Sequence, residues 1–235
     1  TVDIVQQKQE EYGGIELVEE GGREGQSAAQ NKILDRVEND AVFLIDGDGV
    51  FTPGSMEAMM DAYDGDSLVY GREYPVLGDT FGQRVMAEFW KVHDALGRLT
   101  PAFTTQIALI PTDLVDRIPP EIVIDDEYLG QRAREEGRDI IYVPEAVKLH
   151  NIKGDVKSFL RHRRKNWAGM IQIQRQGYDN LQPTGLKLKF FLRYLFNSAP
   201  RSMLRLLVVG WIEFVALTLA YYDSVRGRWP YIWDR

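Results

Sequence analysis

A chain of 235 residues with 44% hydrophobic and 27% charged side chains has enough apolar material for a packed core, which excludes intrinsic disorder. It holds no cysteine, so disulfides, thiolate zinc sites and cysteine nucleophiles are excluded as well. The net charge of −7 conceals an asymmetry: residues 1–150 carry 13 Lys and Arg against 30 Asp and Glu, whereas residues 151–235 carry 15 against 5. An acidic globule is thus joined to a basic, apolar tail, a pattern expected of a tail that meets an anionic partner.

Along the chain, Val2 to Tyr12 reads as a helix stopped by Gly13-Gly14. Ile15 to Val18 is a strand candidate, and Gly21 to Gln26 a polar, glycine-rich loop. Ser27 is placed to cap a helix through Ala28, Ala29, Ile33, Leu34 and Val37. Ala41 to Ile45 is a continuous apolar run of strand length, as expected of a strand buried on both faces, and it ends abruptly in Asp46-Gly47-Asp48-Gly49. Pro53 opens a helix through Met56, Met59 and Met60, and Ser67 to Tyr70 is the next strand. Phe81 to Leu96 has helical periodicity, Gln106 to Ile110 reads as a strand and Asp113 to Arg117 as a short helical turn. Asp125 to Glu136 is a helix stopped by Gly137, and Ile140 to Val143 a strand ended by Pro144. This alternation predicts an α/β layered domain with a mostly parallel sheet. After His150 come a basic helix, Val156 to Gln176, a second over Leu186 to Phe196, and the strongly apolar Leu206 to Tyr222, interrupted by Glu213.

In open α/β sheets ligands gather at the carboxyl ends of strands, where Asp46 and Asp48 fall. Two carboxylates there suit a hard cation, Mg²⁺ or Mn²⁺, with positions left open for phosphate. Asp and Gly are also ordinary turn residues, so the same four residues read equally as a turn.

The surrounding residues narrow the choice. Gly22-Arg23-Glu24-Gly25 followed by Gln26-Ser27-Ala28-Ala29-Gln30-Asn31, the strand Val42 to Ile45, Asp46-Gly47-Asp48, and Thr52-Pro53 together resemble family 2 glycosyltransferases. So do Asp125-Asp126-Glu127 with Gly137 downstream, and Tyr142-Val143-Pro144 leading to His150. The resemblance covers roughly residues 1–175 and rests on the order and spacing of individually weak motifs. It implies a GT-A-like (Rossmann-like) layered domain over residues 1–152, preceded in the family by two nucleoside-binding strands that this chain is expected to lack, and a helical region over residues 153–235. It further implies an inverting transferase that takes a nucleotide-sugar donor and a glycan or lipid-linked acceptor. By similarity, Asp126 is the catalytic base, Asp48 and His150 are metal ligands, and Asp46, Arg23 and Asp125 lie on the donor side. Arg163, Arg164 and Trp167 occupy the place of a Q-x-x-R-W motif, of which only Trp167 is retained, and are expected on the acceptor and diphosphate side; processive polymer synthesis is not expected.

Other readings of the same residues remain open at this level. Asp125 and Asp126 suit the start of a helix as cap and dipole complement. His150 is equally a structural histidine, and Arg23 a solvated loop cation. Phe43 to Thr52 also resembles the first motif of haloacid dehalogenase-type phosphohydrolases, although no second motif follows. A non-catalytic glycosyltransferase remnant is the third reading. The basic and apolar C-terminal helices are expected at the cytoplasmic face of the cell membrane, lying in the interface or crossing it once, against an anionic membrane surface and not nucleic acid. No leader peptide is expected.

Overall fold

A computed structural model describes residues 2–19, 22, 24–76, 78, 80–151 and 155–229. In chain order the elements are α1 (Val2–Glu11), α2 (Gln26–Leu34), β1 (Ala41–Ile45), β2 (Gly49–Phe51), α3 (Ser55–Ala62), β3 (Leu68–Val76), α4 (Phe81–Gly97), β4 (Ile107–Pro111), α5 (Asp125–Glu136), β5 (Ile140–Asn151), α6 (Val156–Arg175), α7 (Thr184–Phe196) and α8 (Pro200–Val225).

The strands form one sheet in the order β1-β4-β3-β5-β2. Among the described residues only β3 and β5 pair in parallel, while β4 runs against both β1 and β3 and β2 runs against β5. The α/β layering is as expected, but the sheet is mixed instead of mostly parallel. An apolar run is silent about strand direction, which depends on how the chain returns, and β1 is not buried on both faces either: it lies at the edge of the described sheet, with only Leu44 buried. Ile15 to Val18 is irregular, with Gln9 bonding the carbonyl of Ile15, and has no strand partner among the described residues.

The two-residue period of the strands divides the core. Leu68, Tyr70, Ala108 and Ile110 face Leu129 and Ala133 of α5, whereas Val69, Ile107 and Leu109 face Met59 of α3. Local signals set the helix ends. Thr80 and Gln83 form a capping box at the start of α4, and Gly137 at φ 75° terminates α5. Ser27, by contrast, lies inside α2, which begins after Gly25 without a side-chain cap, and the Ser27 hydroxyl bonds the Ile122 carbonyl at 3.4 Å. Pro53 lies in the turn before α3, which starts after Gly54.

Pro144 does not end its strand. β5 continues to Asn151 because Gly71 pairs with Val143 and Arg72 with Val147, leaving residues 144–146 as a bulge. The bulge requires glycine opposite it, since a Cβ on Gly71 would stand 2.5 Å from the Ala146 carbonyl oxygen. The extension carries Lys148 and His150 to the level of Asp48.

The C-terminal helices pack on this core. Val85 and Met86 of α4 meet Phe159 of α6 and Val209 and Ile212 of α8, and Ala168 of α6 meets Ala216 and Ala220 of α8. The boundary expected at 152–153 falls outside the described residues.

Candidate active site

β1 ends at Ile45, and the backbone N–H of Asp46 bonds the Gln106 carbonyl at 3.3 Å, which anchors the turn beside the start of β4. Asp46 is half-buried and its carboxyl is raised above the ordinary value, chiefly by burial. Lys148 opposes that rise, while Asp125 and Asp48 add to it. Asp48 is exposed, and its Oδ1 accepts from Lys148 Nζ at 2.9 Å.

The residue before Gln106 holds the second acidic group. Thr105 Oγ1 donates to Asp125 Oδ2 at 3.0 Å, and the amides of Gln30 (2.5 Å) and Gln26 (3.4 Å) from α2 donate to the same oxygen. Asp125 is therefore buried and fixed from two sides. Asp126 follows it on the first turn of α5, whose N-cap is Ile124, so neither aspartate is the capping residue. Its Oδ1 accepts from the Glu127 N–H at 2.8 Å. Burial, then the negative charges of Asp125 and Glu127, push the Asp126 carboxyl up to about 8, against the pull of that N–H and of Lys165.

Lys165 of α6 joins the two acidic groups. Buried, and lowered to about 8 by that burial, it is held in its charged form by Asp125, Asp126 and Asp46. Asp46, Asp48, Asp125 and Asp126, separate in sequence, thus share one electrostatic environment; Glu73 on β3 feels Asp46, Asp48 and Asp126 together.

His150 lies on β5 opposite Gly49, with its ring edge-on to Trp90 at 5.0 Å between centroids. Burial lowers its basicity, with Asp48 the countering charge, so it is a neutral imidazole at pH 7. Its buried Nδ1 has no hydrogen-bond partner. Among the described residues no three His, Cys, Asp or Glu side chains gather into a complete cation site. Asp48 offers an exposed carboxylate and His150, which feels its charge, an unsatisfied imidazole nitrogen, both of them donor types that Mg²⁺ or Mn²⁺ accepts.

The other expected residues fall elsewhere. Arg163 is tied to Glu213 of α8 by Nε at 2.5 Å and its second nitrogen at 3.3 Å, and lies over the Phe89 ring at 4.6 Å. Trp167 Nε1 donates to the same Glu213 at 2.8 Å, and Arg164 makes two 2.6 Å bonds to Asp223. These three side chains join α6 to α8, and it is Lys165, between them in sequence, that faces the aspartates. Arg23 lies outside the described residues. Sequence reasoning also missed Gln26, Gln30 and Thr105, which position Asp125, and Lys148 beneath Asp48. One signal was available: Lys165 stands three, four and seven residues before the buried Ala168, Gly169 and Gln172, on the inward face of α6.

A mixed α/β domain with acidic residues gathered at the end of one strand and at the start of a following helix is the arrangement of a GT-A-type fold. In accord with this, a mannosyltransferase from Pyrobaculum calidifontis, solved in complex with GDP-Man and Mn²⁺, superposes with a TM-score of 0.65 at 15% identity, over 95% of this chain and 74% of that one. The sequence pattern described as glycosyl transferase family 2 matches residues 1–131, and the chain belongs to that family. The family match decides against the phosphohydrolase reading. A solved mycobacterial protein matches at a TM-score of 0.44 and 16% identity, over 74% of this chain and 57% of that one, too loosely to carry an argument. No curated protein sequence matches.

Proposed function

We propose that this glycosyltransferase moves a sugar from a nucleotide-sugar donor to a hydroxyl of a glycan or lipid-linked acceptor, with inversion at the anomeric carbon. One observation carries the reading: the carboxylates at the end of β1 and at the start of α5 share the buried Lys165. Donor and acceptor chemistry can then meet in one place.

In this reading Asp46 orients the nucleotide, while Asp48 and His150 hold Mg²⁺ or Mn²⁺. Such a cation would neutralise the charge gathering on the departing nucleoside diphosphate. The GDP-Man and Mn²⁺ in the Pyrobaculum mannosyltransferase support this class of donor and cation. Asp126 removes the proton from the acceptor hydroxyl. Its raised pKa makes it a stronger base than an ordinary carboxylate, and the fixed charge of Asp125 helps to raise it. Lys165 limits that rise, so that Asp126 still ionises near neutral pH. Arg163, Arg164 and Trp167, expected on the acceptor and diphosphate side, are instead committed to Glu213 and Asp223 of α8 and take no part in this scheme.

The site is proposed to work at the cytoplasmic face of the cell membrane. α8 is 26 residues long and its 18-residue window has a mean hydropathy of 1.9, enough by length and composition to cross a membrane. Its carboxylates are turned inward, Glu213 to Arg163 and Asp223 to Arg164, while Leu204, Leu207, Trp211, Phe214 and Tyr221 form an exposed stripe about 25 Å long. Exposed Lys189, Arg193, Arg201, Arg226 and Arg228 lie on or just beyond the same two helices, α7 and α8. A helix with its polar side packed on protein and its apolar side bare favours lying in the interface over spanning it.

The test is turnover of a panel of nucleotide sugars with MnCl₂. Transfer by the wild-type chain that is lost in Asp126→Asn, with donor binding retained, is the expected result. Transfer by that variant at the wild-type rate refutes the base assignment, and absence of donor binding by the wild type leaves the remnant reading in its place.

A further inference from the structure

Beneath Asp48 lies a buried charge arrangement that catalysis as outlined does not use. Lys148 on β5 is fully buried, and its ammonium is bonded to Asp48 at 2.9 Å. Its hydrocarbon stem crosses the bare backbone of Gly49, where a Cβ would stand 2.4 Å from Lys148 Cε. On its other side, Glu73 of β3 is the direct parallel partner of Lys148 in the sheet. Glu73 is 7% exposed, and its Oε1 has no hydrogen-bond partner.

A buried carboxyl oxygen left unsatisfied beside a buried lysine that is bonded elsewhere is a costly arrangement in a resting protein. It becomes reasonable if the lysine has two positions. A cavity of about 10 Å³ beside Glu73, also lined by Thr104 and Asp94, has room for one water molecule. Burial, with the charges of Asp46, Asp48 and Asp126, holds the Glu73 carboxyl well above its ordinary value, so it keeps a proton while the ammonium sits on Asp48. Arrival of the ammonium would release that proton to solvent and satisfy the bare oxygen directly.

We propose that Lys148 is a displaceable counter-cation: it neutralises Asp48 while the cation site is empty and transfers to Glu73 when a divalent ion takes Asp48. Lys148 and Glu73 are then positioning residues for metal loading, and Gly49 is the clearance that lets the ammonium move. The inference rests on the assignment of Asp48 as a metal ligand. It adds that the competing lysine has a built acceptor, so that loading does not leave two cations facing each other.

The experiment is Mn²⁺ binding to the full chain, followed by the electron paramagnetic resonance signal of free Mn²⁺ during titration with MnCl₂. Asp48→Asn tests the underlying assignment: binding unchanged in that variant, or no binding by the wild type, overturns both. If Asp48→Asn abolishes binding, the cycle between Glu73→Gln and Lys148→Met tests the transfer. Glu73→Gln is expected to weaken binding about tenfold in the wild-type background and less than about twofold in the Lys148→Met background, because without the ammonium there is nothing to receive. Equal penalties in both backgrounds overturn the proposal and leave the metal assignment standing. If either variant fails to fold, a crystal structure of the wild-type chain with Mn²⁺ at Asp48 decides. Lys148 Nζ within hydrogen-bonding distance of Glu73 supports the transfer, and Nζ still on Asp48 overturns it.

Discussion

Replacing Asp126 with asparagine is expected to destroy activity and to stabilise the protein, and the pH dependence of the second effect tests the reasoning behind the first. Burial and two neighbouring carboxylates raise Asp126 from an ordinary value near 3.8 to about 8. A folded pKa above the unfolded one means that the folded chain keeps a proton which the unfolded chain releases. Stability is therefore lost as pH rises from about 4 to about 8 and is level above that. A rise of roughly four units at 1.36 kcal/mol each sets a ceiling of about 6 kcal/mol. Lys165, itself lowered to about 8, shares charge with Asp126, so the working figure is smaller, about 2–3 kcal/mol. Urea unfolding of wild type and Asp126→Asn between about pH 5 and about pH 9 should show the variant gaining an advantage that grows with pH and saturates near pH 8. Turnover of the variant should fall by about a thousandfold. An advantage that does not change with pH, or a variant less stable than wild type above pH 8, refutes the claim that the site holds a strained carboxylate.

Three further outcomes are expected. Lys165→Met removes the cation that favours ionised Asp126, so the rising limb of kcat/KM against pH should move upward by about one unit; an unmoved limb separates Lys165 from the base. Glu213→Gln strips the shared partner from Arg163 and Trp167 and should cost about 2–4 kcal/mol in urea unfolding, with transfer retained below the transition; a loss under about 0.5 kcal/mol would show the joint between α6 and α8 to be incidental. Trp211→Glu with Phe214→Glu should abolish co-flotation with vesicles containing phosphatidylserine while leaving the melting temperature within a few degrees, since both side chains are exposed; retained flotation removes the membrane assignment.

What could be read from sequence was whatever the chain determines locally. α5 was delimited to the residue because an acidic first turn and a glycine in the left-handed region fix its ends without outside help. β1 and the turn after it were equally plain, since an apolar run that stops at two aspartates and two glycines has few other conformations, although β1 lies at the sheet edge and is not buried on both faces. Strand direction, the irregular state of Ile15 to Val18 and the passage of β5 through Pro144 were not legible. Each depends on a partner: β4 returning antiparallel, no pairing strand within the described residues, and Gly71 making room for a bulge.

The same division runs through the candidate site. Asp46, Asp48, Asp125 and Asp126 were visible because they sit where elements begin and end. Their counter-charges were not, because a basic residue inside a basic run or an apolar strand carries no sign of which side it faces. On α6, Arg163, Arg164 and Lys165 are consecutive, yet a turn of about 100° per residue sends the two arginines to Glu213 and Asp223 and the lysine to the aspartates. Composition gives the charge of such a run, and only helical phase assigns each charge a partner. A lysine at a phase shared with alanine and glycine, as Lys165 is, enters the interior. It does so only where carboxylates already buried make the ammonium less costly there than their own unpaired charge would be. The acidic cluster and the phase of α6 therefore determine one another, and a register shift of a single residue in α6 would leave both unsatisfied.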